Sequence, residues 1–446
     1  MKLKLFLSLV LFLFSVNFVF AQFIVKETYM ETTGLSNEGL VAGYVSQGGT
    51  YSIWNPDLGS TTDIGGLAPG QGVGGQAHFS DEGLYLCGTS MGLNGAEMSR
   101  YQMATNEWVL VGSLGFSIDN TVSGGFAISG NGSTVAGNSW ADTTGGLAYT
   151  HAVAWVEGDG LFDLGTLHAG RSTRVNAVNY DGSVLVGWQD FNGPWKSAVW
   201  RKNPNGGYFP NQYLLIDPSG DPSDEYNQLG ECSAVSANGN WIGGYGDYAN
   251  NNEPWIWSEA TGVINLGTLA EGAQGFVSGI SVDGSIVVGW FNVSFWDPQL
   301  PFIWTSAGGL QNLNTYINDV LGYSTGTYQI YSANCMSSNG QYIGGYGIDN
   351  ATFNYFAYRV GLVSTGIQEV AETGNLTVFP NPTSGFLTIE NHNKAILTIY
   401  CMDGRILDIT EINGNHVLDI SAYKQGLYFL SVQSGNLTQT AKFVKN

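Results

Sequence analysis

Charge is scarce in these 446 residues: 11% are Asp, Glu, Lys or Arg, with 15 Lys or Arg against 36 Asp or Glu, for a formal charge of −21. A surface so poor in cations repels phosphate, which makes nucleic acid and anionic lipid poor partners. Long apolar runs are missing beyond residue 20, so no later segment approaches the roughly 20 apolar residues of a transmembrane helix. Cysteine is rare. Cys87, Cys232, Cys335 and Cys401 match no metal-binding spacing, and a chain of this length buries a core without disulfides. The first three fall inside expected strands and read as buried free thiols. The five histidines (His78, His151, His168, His392 and His416) lack zincin spacing, and no Gly-x-Ser-x-Gly elbow occurs. The carboxylates at Asp217, Asp221, Asp224 and Glu225 do not follow an EF-hand loop and read as a solvated acidic loop. No metal and no cofactor is expected.

Glycine and aromatics are abundant: 63 Gly and 13% Phe, Trp or Tyr. Glycine-rich turns between short aromatic strands suit an all-β chain. Residues 1–21 stand apart. Lys2 and Lys4 precede an apolar run over residues 5–20, and Val19-Phe20-Ala21 fits a cleavage site, the pattern of a signal peptide. Its removal takes two positive charges and moves the formal charge from −21 to −23.

One phrase repeats. A turn glycine recurs at Gly39, Gly83, Gly132, Gly182, Gly239, Gly284 and Gly340, preceded by Glu38, Glu82, Asn131, Asp181, Asn238, Asp283 and Asn339. Asp-Gly and Asn-Gly predict type I′ hairpin turns, in which both central residues have positive φ. Ser129, Ser236, Ser281 and Ser337 stand three residues before the glycine. Five residues after it come Gly88, Gly137, Gly187, Gly244, Gly289 and Gly345, with Gly43 one place early. A glycine inside a strand marks a bulge or a close backbone approach. A third strand ends in Trp54, Tyr101, Trp155, Trp200, Trp257, Trp304 or Tyr358. A fourth is visible as Asp163-Leu-Gly-Thr-Leu167. Seven such units predict a seven-bladed β-propeller over residues 22–362. An open solenoid would need shorter repeats and caps. The last unit stops after three strands, and Phe23-Ile-Val-Lys-Glu-Thr-Tyr29 is spare, so it is expected to complete the last blade and remove an open edge.

The Ala-Val-Ser-x-Asp-Gly-like turns, Val-Val-Gly strands and Asp-Leu-Gly-Thr-Leu strands resemble the bacterial extracellular HAF repeat family, whose tripeptide is approached at His151-Ala-Val153. The resemblance implies a secreted propeller, brings no catalytic residues, and makes His151 structural.

Residues 363–374 read as a linker, and residues 375–446 as a small C-terminal β-sandwich of short alternating strands. The motifs Phe379-Pro380-Asn381-Pro382 with Gly385, Asp403-Gly404-Arg405, Gly426-Leu427-Tyr428 and Lys442-Phe443-Val444 resemble the type A sorting domain of the type IX secretion system. That resemblance implies the secretion machinery as a partner, a Bacteroidetes-type host, and a protein secreted or attached to the outer cell surface.

The Asx-Gly turns fix one face of the disc, so the loops between second and third strands open on the other. Trp140, Trp188, Trp195, Tyr245, Tyr248, Trp290, Trp296 and Tyr346 lie in or beside those loops. Aromatic faces with nearby amides suit sugar rings or a protein interface. Trp188 and Trp290, directly after the strand glycine, also fit as wedges between blades. Two functions follow: a binding protein for extracellular glycan or protein, or a polysaccharide hydrolase or lyase. The lack of a recognisable catalytic motif favours binding.

Overall fold

The computed structural model describes residues 23–446 apart from 71–73, 94, 116–122, 142–148, 192–194, 210–214, 219, 222, 224–226, 247–251, 295–296, 363–375, 391–393, 402–405 and 435–436. The expected signal peptide and linker, Tyr248, Trp296, Gly404 and Arg405 therefore lie outside the described residues, as does much of the acidic loop. The chain divides into two compact units, residues 1–364 and 365–446.

Within the first unit the described residues build seven antiparallel sheets in chain order. The sixth is representative: Gln274–Ile280, Ile286–Asn292, Leu300–Thr305 and Gly309–Asn312 pair consecutively. The second and fourth sheets show three named strands each. In the second, the innermost segment keeps only a bridge from Phe79 to Leu86. Apolar clusters form between successive sheets: Ala234 and Ile256 of the fifth pack on Val277, Ile280 and Val287 of the sixth. The series returns to its start, for Cys335 and Ala357 of the seventh sheet share a core with Leu35, Val41 and Trp54 of the first. Phe23–Lys26 pairs antiparallel with Tyr355–Gly361, from Phe23 opposite Val360 to Lys26 opposite Ala357, and so forms the outer edge of the last sheet. Cys87, Cys232 and Cys335 are buried free thiols in three different sheets.

The repeated turn is not type I′. Its glycine has φ between +68° and +83° in all seven copies, but the residue before it is never at positive φ. The glycine N–H donates to the carbonyl three residues earlier at 2.8–3.3 Å, so an ordinary turn runs into one left-handed glycine. A side chain at that earlier position completes the loop. Ser36, Ser80, Ser129, Ser236, Ser281 and Ser337 Oγ, and Asn179 Oδ1, each accept from the backbone N–H that opens the next strand, at 2.9–3.1 Å. The serine pattern thus extends to the first two copies, with Asn replacing Ser in the fourth.

The strand glycine answers a different constraint. A Cβ at Gly43, Gly137, Gly187, Gly244, Gly289 or Gly345 would lie 1.9–2.2 Å from the carbonyl oxygen of the residue eight places before the turn glycine. The innermost strand bulges there, as at Val175/Ala177 and Val277/Gly279, which brings that carbonyl onto the glycine.

Two buried arginines bolt neighbouring sheets together. Arg100 donates to Gly132 O at 2.9 Å and pairs with Glu157. Arg359, on the last sheet, donates to Gly39 O and to Asp57 of the first sheet, both at 3.1 Å, and lies over the Tyr342 ring. Because the Asp57 carboxylate is more than half exposed, the ion pair itself is worth little, whereas the buried guanidinium bond to Gly39 O is costly to remove. Arg359→Ala is expected to cost about 2 kcal/mol and Asp57→Asn less than about 1 kcal/mol in denaturant unfolding. Equal costs would refute this division.

In the second unit, Val378–Phe379, Phe386–Ile389 and His416–Asp419 form one sheet. Ile406–Asn413, Lys394–Cys401, Gly426–Ser434 and Leu437–Lys445 form another. Leu387, Ile389 and Leu418 of the first sheet share one core with Leu397, Ile399, Leu430 and Phe443 of the second.

Candidate functional site

The innermost strands surround a cavity of about 140 Å³ to which all seven sheets contribute, among them Gly34, His78, Ala127, Asn176, Ser233, Ser278 and Cys335. Burial lowers the His78 pKa to about 4, which keeps the ring neutral at pH 7. Asp81 is the single acidic residue among those lining the cavity, so it presents no carboxylate pair. Where the residue six before the turn glycine is polar it stitches its sheet to the next; Ala77 and Phe126 hold that place in the second and third copies. Thr33 Oγ1 donates to Ala77 O at 2.6 Å, Asn176 Nδ2 to Cys232 O at 2.8 Å, and Ser233 Oγ to Val277 O at 2.6 Å.

Two residues further from the turns, at the opposite end of the innermost strands, the sheets differ sharply. The position eight before the turn glycine holds Glu31, Gly75, Gly124, Arg174, Glu231, Phe276 and Ser332. At Gly75 a Cβ would come 1.7 Å from Gly125 O, so that side is closed by backbone. The charged groups are on the first, fourth and fifth sheets. Glu231 Oε1 accepts from Asn176 Nδ2 at 2.8 Å, with Arg174 Nη2 at 3.8 Å, and Tyr245 OH donates to Oε2 at 3.1 Å. Glu31 Oε1 accepts from Asn334 Nδ2 at 2.8 Å, and Tyr29 OH donates to Oε2. Burial raises both carboxyl pKa values, against the pull of these donors and, at Glu231, of Arg174. Burial first, and then the Glu31 charge, push the Tyr44 and Tyr346 hydroxyls up to about 12.

Across from that position lies the residue following the strand glycine: Trp188 opposes Arg174 and Trp290 opposes Phe276. Trp188, Tyr245, Trp290 and Tyr346 therefore occupy one repeat position. Trp195 stacks on Trp188 with ring centroids 4.4 Å apart and planes 7° from parallel. Trp188 lies 5.3 Å from the Arg174 guanidinium, which in turn sits 4.5 Å over Phe126. Trp188 is buried, while Trp195 caps the column and is 44% exposed. Tyr245 packs on Phe276 at 4.4 Å, and Phe276 stacks on Trp290 at 4.1 Å. Tyr346 lies in a tyrosine group with Tyr29, Tyr331 and Tyr355 and donates to Gln299 Oε1 at 3.0 Å. Trp140 is buried at the end of its strand, away from this set in the repeat pattern. His151 pairs with Asp163 at 2.9 Å on the neighbouring strand of its own sheet. Sequence reasoning missed Glu31, Arg174 and Glu231. The available signal was their common spacing of eight residues before the turn glycine.

In the second unit Asn381 bridges to the last strand: Nδ2 donates to Lys442 O at 2.8 Å and Oδ1 accepts from Val444 N at 2.9 Å. Tyr428 OH donates to Lys424 O at 2.7 Å, and its ring stacks on Phe443 at 5.3 Å. The Gly385 carbonyl accepts from Ile420 N at 2.8 Å. These residues belong to the sorting motifs, and residues 377–446 match the family described as the secretion system C-terminal sorting domain. The C-terminal unit is a type IX sorting domain. The sorting domain marks the chain for the type IX machinery and for secretion or attachment at the outer surface. No described helix is long and apolar enough to cross a membrane, and the described residues hold no cluster of three or more His, Cys, Asp or Glu suited to a metal.

No curated protein matches the sequence. Among solved structures, the chain is similar to the β-propeller domain of the Trilobed protease from Pyrococcus furiosus, at 11% identity and TM-score 0.45, over 76% of this chain and 95% of that one. It is similar to Kuenenia stuttgartiensis hydrazine synthase at 12% identity and TM-score 0.43, over 78% and 99%. It is similar to TolB from Acinetobacter baumannii at 13% identity and TM-score 0.37, where it spans 58% of this chain and 58% of that one.

Proposed function

We propose that residues 22–362 are a seven-bladed β-propeller of the HAF-repeat type, made behind a signal peptide at 1–21. A linker at 363–374 joins it to a sorting β-sandwich at 375–446. Its role is recognition of an extracellular glycan or protein on the face away from the Asx-Gly turns. The column Trp195–Trp188–Arg174–Phe126 carries this reading. It holds an exposed indole rigidly on Trp188, which in turn lies against the Arg174 guanidinium, and a pre-ordered flat aromatic binds a sugar ring with little loss of entropy. A glycan array on the full chain, followed by titration of the hits, tests it. Trp195→Ala is expected to weaken binding about ten-fold, roughly 1.4 kcal/mol, without changing Tm, since Trp195 is the exposed end of the column. Undiminished binding by that variant would remove the column from the site.

The hydrolase or lyase reading draws on Glu31 and Glu231, whose raised pKa values suit acid–base work. Each is engaged with Asn and Tyr donors, and the two come from the first and fifth sheets, with two sheets between them along the shorter way round. Binding is therefore the better-supported reading. Product analysis of the array hits decides: turnover lost in Glu231→Gln would establish the enzyme.

A further inference from the structure

We propose that a pocket at the turn end of the fourth and fifth sheets takes an arginine side chain from a partner protein. The molecule itself shows twice what such a slot holds. Arg100 and Arg359 occupy one repeat position, opposite the residue four places after the turn glycine of their own sheet. Each crosses to the next sheet. There Nη1 donates to the turn-glycine carbonyl, Gly132 O at 2.9 Å and Gly39 O at 3.1 Å, and Nη2 donates to a carboxylate, Glu157 or Asp57. Those carboxylates follow the third-strand tryptophans Trp155 and Trp54 by two and three residues. The Arg100 guanidinium also lies 4.9 Å over the Trp155 ring.

The receiving half of this arrangement recurs once more. The fifth sheet has the turn glycine Gly239, Trp257 on its third strand, and Glu259 two residues beyond. The second, fourth, sixth and seventh sheets have no carboxylate in the three residues after that aromatic position. What the fifth sheet lacks is an arginine from its neighbour. The matching position on the fourth sheet, opposite Val186, holds Val199, which is buried and too short to cross. Gly239, Trp257 and Glu259 instead line an open pocket of about 380 Å³, with Trp241 adding a second indole and Arg201 of the fourth sheet a further wall. Among the described residues none donates to Gly239 O or to the Glu259 carboxylate. Asn240, Glu259 and Ala260 are exposed, so the slot is entered from solvent.

The chemistry selects the ligand. A carbonyl and a carboxylate beside an aromatic face match a guanidinium, whose planar fork donates in two directions while it stacks. An ammonium lacks the plane, and a neutral urea group lacks the charge that the carboxylate pairs with. The formal charge of −21 draws basic proteins to the surface. The pocket lies among the turns, and the proposal does not depend on the glycan reading.

The test titrates the full chain, by isothermal calorimetry, with acetyl-Gly-Arg-Gly amide, its lysine and citrulline counterparts, and free L-arginine. The arginine peptide is expected to bind at least about ten-fold tighter than the lysine peptide, and the citrulline peptide to give no measurable binding. Glu259→Gln should weaken the arginine peptide about ten-fold with Tm unchanged, because Glu259 is exposed. Val199→Arg, which supplies the guanidinium from within as Arg100 does, should abolish binding; should that variant fail to fold, Glu259→Gln carries the test alone. Equal affinity for the arginine and lysine peptides, or affinity untouched by Glu259→Gln, overturns the slot. Tighter binding of free L-arginine, whose α-ammonium and α-carboxylate the capped peptide lacks, keeps the guanidinium site and overturns the protein partner.

Discussion

A chain begun at Tyr29 is expected to unfold about 6 °C below the full one and to aggregate on heating. The reason is local. Phe23–Lys26 supplies the outer strand of the last sheet through a four-residue register, Phe23 opposite Val360 to Lys26 opposite Ala357. The Phe23 ring packs on Tyr328, Phe356 and Tyr358 at 5.9–6.4 Å, and Val25 joins the same cluster. Ile24 packs from the other side of the strand against the cluster that joins the seventh sheet to the first. Losing three half-buried apolar side chains, at about 1 kcal/mol each, and several backbone bonds costs on the order of 4 kcal/mol. For a domain of roughly 340 residues that is about 6 °C of Tm. The bared edge of Tyr355–Gly361 then offers unpaired backbone to a second copy. Thermal unfolding and size-exclusion of the truncated chain check this, and an unchanged Tm with a monodisperse peak would show that the strand is dispensable.

What could be read in advance was whatever recurs. The turn glycine and the strand glycine are imposed by the same backbone geometry from copy to copy, so one sequence repeats the signal seven times. The turn type was misjudged because Asn-Gly and Asp-Gly signal a two-residue hairpin. The decisive group sits outside that dipeptide, in the Ser Oγ that takes the N–H opening the next strand and stabilises a longer loop with one left-handed residue. Site chemistry was less legible for the opposite reason. Glu31, Arg174 and Glu231 occupy a position that varies from copy to copy, where the search for repeated character finds nothing. Aromatic residues could be nominated from composition. That Trp188 is buried and Trp195 exposed depends on which ring caps the stack, and spacing alone does not encode it.

A glycine kept for a close contact and one kept for its conformation separate in a second experiment with a large effect. Gly289 lies in a strand with ordinary backbone angles, yet an added Cβ would fall 1.9 Å from Phe276 O and 2.7 Å from the Phe302 ring. The oxygen belongs to the backbone of the innermost strand, and Phe302 is fully buried, so neither yields without parting two strands or shifting the interface between sheets. Gly309 is the converse: φ is +68°, and an added Cβ meets nothing within 4 Å. Gly309→Ala is charged only for the left-handed conformation, about 1 kcal/mol. Gly289→Ala must break the close approach and is expected to exceed about 3 kcal/mol, the upper range for overpacking a tight interior. Denaturant unfolding of both variants measures the difference directly. Similar costs would mean that the strand glycines are kept for backbone freedom, and that the bulge does not press the innermost carbonyl onto the second strand. A large gap would assign Gly289, and by analogy the other strand glycines, to contact and Gly309, in the turn between third and fourth strands, to conformation. It would also explain why the side chain beside each strand glycine, such as Trp290 or Trp188, is held at a fixed height above the innermost strand, where Phe276 and Arg174 meet it.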